Sequence, residues 1–132
     1  MDKTIDIRIK LAFLWLFVLL NVIFRDIHQF TMKSHLEMLL TGYYNGMEVT
    51  DTIMFIGGMV LEIPISMVLF SVLLKRSILR PLTFVASFIT LALFLVEPPS
   101  DPDDWFFKIV EVAGLLTIVL ISWKWKPTAG DQ

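Results

Sequence analysis

The sequence predicts an all-α membrane protein: a four-transmembrane-helix bundle with both termini cytoplasmic and a short amphipathic helix in the first outer loop. Three observations predict it. The chain is 56% hydrophobic and 18% charged, whereas a soluble domain carries about 25% charged residues. Four stretches approach the roughly 20 mainly apolar residues that a helix needs to cross a bilayer. Basic residues gather at one end of those stretches, the asymmetry that sets orientation in a membrane. With 132 residues, the chain has room for a single integral membrane domain, 1–132.

The spans are expected at about 9–30, 52–74, 78–96 and 105–125. The first has an apolar core from Leu11 to Leu20 and then runs into Asn21-Val22-Ile23-Phe24-Arg25. It lacks the small-residue cleavage site of a secretory signal, so it reads as a retained span. Loop one, Thr31 to Asp51, is long and polar. Within it, Ser34-His35-Leu36-Glu37 fits a capping box. Met32, Leu36, Leu39, Leu40 and Tyr43 then share a helical face, and Gly42 ends the run. The expected product is a short amphipathic helix lying on the outer surface or covering the bundle.

Loop two is the basic turn Lys75-Arg76-Ser77, with Arg80 and Pro81 in the first turn of span three. Loop three, Glu97-Pro98-Pro99-Ser100-Asp101-Pro102-Asp103-Asp104, is too rich in proline to continue a helix. Asp101 is placed to cap span four, with Pro102 at its first position. Lys3, Arg8, Lys10, Lys75, Arg76, Arg80, Lys124 and Lys126 fall on one side, and only Arg25, Lys33 and Lys108 toward the other. The first side is therefore expected to be cytoplasmic, in a cell inner membrane, leaving acidic loops one and three outside. Trp105, Trp123 and Trp125 stand where interfacial anchors belong.

Composition also excludes functions. A net charge of −2 argues against a nucleic-acid partner, which needs a basic face. There is no cysteine, so disulfides and thiol redox chemistry are ruled out. No phosphate-binding glycine loop, zinc signature or nucleophile elbow is present. His28 and His35 lack the accompanying ligands of a metal or haem site. No metal and no cofactor are expected.

What remains is a set of polar residues inside apolar spans. A charge at the centre of a span costs on the order of 3 kcal/mol, so such residues usually turn inward and find partners. At a rise of about 1.5 Å per residue, Glu62 and Asn21 both fall near mid-membrane, and Arg25 and Glu111 fall about a turn further out. Two couplings are therefore expected, Asn21 with Glu62 and Arg25 with Glu111. Lys108 is three residues before Glu111 and within reach of it, and His28 extends the Asn21–Arg25 face. Thr83, Ser87 and Thr90 form a hydroxyl face on span three. Gly57, Gly58 and Gly114 would permit close helix approach. Pro64 removes the donor for the Val60 carbonyl and should kink span two.

Three strings carry a family likeness: Lys10-Leu11-Ala12-Phe13-Leu14-Trp15-Leu16-Phe17 running to Asn21 and Asp26, Leu61-Glu62-Ile63-Pro64, and Lys108-Ile109-Val110-Glu111-Val112 closing on Trp123-Lys124-Trp125. Together they resemble a family of small bacterial four-span membrane proteins of unknown function, itself similar to the DoxX-like group. The resemblance implies a four-helix membrane bundle with Glu62 and Glu111 as matching positions, and no particular activity.

The function expected from these readings is a binding or accessory protein for a lipophilic ligand, such as a quinone or lipid, or for a membrane partner. The candidate polar cluster is Asn21, Arg25, His28, Glu62, Lys108 and Glu111. A proton- or cation-coupled transporter subunit, working as a homo-oligomer, is the alternative, because a protonatable mid-span acid suits it. An enzyme on a lipophilic substrate ranks last, since no nucleophile or cofactor signature supports it.

Overall fold

A computed structural model describes residues 6–99 and 101–127. Lys3, one of the basic residues that weigh on orientation, and Ser100 of loop three lie outside them. The elements run α1 (Ile7–Gln29), α2 (Lys33–Leu40), β1 (Tyr43–Tyr44), β2 (Met47–Glu48), α3 (Asp51–Leu73), α4 (Arg76–Val96) and α5 (Pro102–Lys124). α1, α3, α4 and α5 are long and apolar enough to cross a membrane. At about 1.5 Å per residue, each can span a hydrocarbon core of about 30 Å.

Capping side chains set three of the starts. Asp6 accepts from the Arg8 amide, Thr50 from the Ile53 amide, and Asp101 from the Asp104 amide with Pro102 directly following. Each satisfies a backbone donor that the helix itself cannot. α4 starts earlier than expected, at Arg76 rather than near residue 78, so Pro81 lies inside it. α3 remains helical through Pro64, which is buried.

α1 packs on both α3 and α5, and α4 closes the ring by packing on α5 and α3. The core is a column of Leu11, Trp15, Val18, Met67, Leu79, Ala86, Leu115 and Ile118. α1 and α5 approach most tightly at Gly114, where an added Cβ would come within 2.8 Å of Val18 Cγ2. The other two expected approach points differ. Nothing lies within 4 Å of a Cβ placed on Gly57 or Gly58; both are exposed, and Gly57 borders a cavity.

One end of the bundle is held by arginines. Arg80 Nε donates to the Ser122 carbonyl (2.9 Å) and Arg76 Nη2 to the Trp125 carbonyl (2.6 Å). These carbonyls lie at the C-terminus of α5, where the helix supplies no donors and its dipole favours cations. Trp125 is thereby buried beside Arg76, whose guanidinium is 5.8 Å from its ring. Trp105 and Trp123 are exposed, as an anchor position requires, and Trp125 is not.

The opposite end carries loop one. α2 forms, but Met32 rather than Ser34 occupies its cap position, without a side-chain bond. The capping box is absent because the helix starts at Lys33 and so places Ser34 inside it; Glu37 instead lies 3.6 Å from Lys33 Nζ. The inward face of α2 is His35, Met38 and Leu39, while Leu36 and Leu40 are exposed. A hairpin then pairs Tyr43 with Glu48 and Tyr44 with Met47. Asn45 (φ 48) and Gly46 (φ 81) turn it. Both left-handed residues match the two-residue turn that suits strand twist, which is why Asn-Gly stands there.

Candidate functional site: the cavities at the loop-one end

The site begins with a buried ion pair. Arg25, three turns from the middle of the α1 core, reaches across to α5, where its Nη1 lies 3.2 Å from Glu111 Oε2. The Glu111 side chain is 0% exposed and that of Arg25 only 11%. Asp26 Oδ1 stands 3.6 Å from Arg25 Nε, and the Phe94 ring centroid lies 6.0 Å from the guanidinium carbon. Glu111 Oε1 has no hydrogen-bond partner. In low-dielectric surroundings such a pair holds only while both members are present.

One turn before Glu111, Lys108 is also buried, but it does not turn to the glutamate. Its Nζ donates to the Glu97 carbonyl at the end of α4. Gln29 Nε2 donates to Asp104 Oδ1 (2.7 Å), joining the end of α1 to the start of α5. His28 sits at the rim, with Nε2 3.1 Å from Asp103 Oδ2. Tyr44 brings the hairpin against Glu97. Burial, and then the charge of Glu97, push its phenol up to about 12.

Two cavities open around this network. The larger, about 690 Å³, lies beneath α2 and the hairpin and includes Gln29, Asp101, Asp104 and Lys108 in its wall. The second, about 390 Å³, descends between α1, α3 and α4 along Val22, Gly57, Pro64, Thr90 and Phe94. Arg25, Gln29, His35, Tyr44 and Glu97 line both. Both cavities are mainly apolar in surface; the outer one has more charged residues in its wall, and the Arg25 side chain stands at their junction.

The expected pairing of Asn21 with Glu62 does not form. Asn21 Nδ2 bonds the Phe17 carbonyl of its own helix at 2.8 Å. Glu62 is exposed on the outside of α3, its Oε1 3.4 Å from Ser66 Oγ. The physical reason is angular: the equal depth of Asn21 and Glu62 brings them together only if both face inward, and α3 presents Pro64, Met67 and Ser71 to the bundle instead. The structure therefore gathers Arg25, Glu111 and Lys108 at one end, leaves His28 at the rim and separates Asn21 and Glu62. Sequence reasoning missed Gln29, Tyr44, Glu97 and Asp104. A signal existed for Asp104, a first-turn acid directly after the Asp101 cap and one turn before Lys108.

A family model described as a family of unknown function (DUF6326) matches residues 4–130. The chain belongs to this family. No curated protein and no solved structure matches it, and the DUF6326 match carries no DoxX-like relationship with it.

Proposed function

We propose that this DUF6326 protein is a membrane-embedded binding or accessory protein that holds a small lipophilic molecule, such as a lipid or quinone, at the loop-one end of its bundle. The observation that carries the reading is the shape and chemistry of the joined cavities. A chamber whose wall carries Asp101, Asp104 and Lys108 at the end of the helices leads, past Arg25, into a crevice that reaches Pro64 and Thr90. That sequence of surfaces suits an amphiphile with its head outward and its tail between helices. The basic residues at the far end favour an orientation with both termini cytoplasmic and loop one outside, in a bacterial inner membrane. A coupled transporter would use a mid-span acid facing a path through the protein, and Glu62 faces away from the bundle. Binding is therefore preferred over transport.

The test is native mass spectrometry of the chain released from mild detergent, wild type beside Gly57→Leu and Glu62→Gln. Gly57 borders the crevice and a Cβ there meets nothing within 4 Å, so a leucine side chain at 57 takes up space in it. A small lipophile retained by wild type and Glu62→Gln but lost from Gly57→Leu is the expected result. An empty wild type, or equal retention by Gly57→Leu, overturns the proposal.

A further inference from the structure

We infer that the head group held at the junction of the two cavities is cationic, an amine or ammonium, rather than an anion or a neutral alcohol. The inference rests on the binding reading above and identifies the ligand class of that same site.

The two cationic donors and the Gln29 amide there are already engaged, while the His35 ring also lines both cavities. Arg25 faces Glu111 and Asp26. Lys108 donates to the Glu97 carbonyl, and the Gln29 amide to Asp104. The Tyr44 phenol faces Glu97. Acceptors, in contrast, are in excess. Asp26, Glu97, Asp101 and Asp104 line the cavities, against two cations, Arg25 and Lys108. Glu111 adds a further carboxyl directly beneath Arg25. An ionised carboxylate offers about four lone-pair sites and donates nothing, so Asp26 and Glu97, both exposed, have acceptor capacity beyond their present partners.

Three polar features point the same way. Glu111 Oε1 lacks a partner in a side chain that is 0% exposed, behind Arg25 and outside both cavity walls, so it adds negative charge there and no direct contact. Thr90 Oγ1 also lacks one, and Thr90 lines the inner cavity while being 2% exposed. The Val60 carbonyl, in the same wall, has lost its helical donor to Pro64. A buried polar atom without a partner is costly, and a ligand that supplies the missing donors relieves that cost. An ammonium carries up to three N–H donors and a positive charge. The aromatic ring of Phe94, already beside Arg25, offers a cation a further favourable face. Among the described residues, no three carboxylate or imidazole groups converge tightly enough to hold a metal ion. The acceptors are spread along a cavity instead, which suits an organic cation on an apolar tail.

The experiment is a competition in mild detergent using the full chain with equal oleylamine, oleyl alcohol and oleate, read by native mass spectrometry. The three probes share a tail and differ in the head. Oleylamine adducts are expected to exceed oleate adducts by at least about tenfold, the ratio that a difference of 1.4 kcal/mol gives. Asp26→Asn with Glu97→Gln, both at exposed positions, should bring that ratio toward unity while still retaining a C18 probe. Preferential uptake of oleate or oleyl alcohol, displaced by Gly57→Leu, overturns the head-group inference and leaves the binding function standing. Failure of wild type to retain any probe overturns both.

Discussion

Glu62 and Glu111 are both acids well inside long apolar helices, yet one faces away from the bundle and the other is sealed within it. Their helices explain the difference. α5 packs on α1 and α4, and 33% of its most apolar window is buried, whereas the matching figure for α3 is 11%. Glu111 therefore falls on a broad buried arc with Arg25 opposite. Glu62 falls on a helix whose buried strip is narrow and centred on Pro64, Met67 and Ser71. Depth alone does not determine the role of a mid-span acid. Its rotation about the helix axis does, and what matters is how wide an arc of the helix its two neighbours cover.

The comparison can be broken most directly at the ion pair. Arg25→Leu leaves Glu111 buried without its cation and should cost about 3–5 kcal/mol. Combining it with Glu111→Leu should recover most of that loss, because replacing both members of a buried pair with apolar groups is often nearly neutral. Thermal or denaturing-detergent unfolding of the two singles and the double measures the cycle. An Arg25→Leu variant as stable as wild type would remove the distinction between the two glutamates.

A smaller effect is expected at the α1–α5 contact that brings the pair within reach. Gly114→Ala pushes a methyl group into Val18 and should destabilise by about 1–3 kcal/mol through overpacking. The same unfolding measurement reads it, with Gly58→Ala as the contrasting change on the open side of α3, expected within about 0.5 kcal/mol of wild type. Glu62→Leu should likewise leave stability in detergent within about 0.5 kcal/mol and leave assembly unchanged. A loss of stability or of an oligomer in Glu62→Leu would show that another copy covers that face.

That four long apolar helices form was legible because hydropathy over about 20 residues is a strong signal. The Asp101 cap and the Arg25–Glu111 meeting were legible too, the first from a Pro at the next position and the second from equal depth plus opposite charge. Glu62 was not. α3 is apolar nearly all round, so no polar face marks which way any one of its residues points. Loop one was legible in part. Its helix follows from the apolar spacing, but the Asn45-Gly46 pair between Tyr44 and Met47 is a hairpin signal that a helical reading of Tyr43 passes over.

The smallest effect concerns that hairpin. The folded Tyr44 phenol is held near 12, above its ordinary value of 10. A raised pKa in the folded state favours docking of the neutral phenol. That contribution is complete below about pH 10 and is lost as pH rises toward 12. In a Tyr43→Phe background, ultraviolet titration of phenolate should give a midpoint near 12, and Glu97→Gln should lower it.

α2 contributes no buried residue, and the α2–hairpin segment packs mostly on itself. Its ties to the spans are few, among them the tilted rings of Phe30 and His35, 5.8 Å apart, and the approach of Tyr44 to Glu97. On the proposed binding reading, an occupant of the outer chamber would leave past this light cover, with the packing of the four long helices left intact. Residence time would be governed by the Tyr44–Glu97 contact and dissociation would speed up when it is cut, while the depth of the crevice would govern how tightly the tail is held.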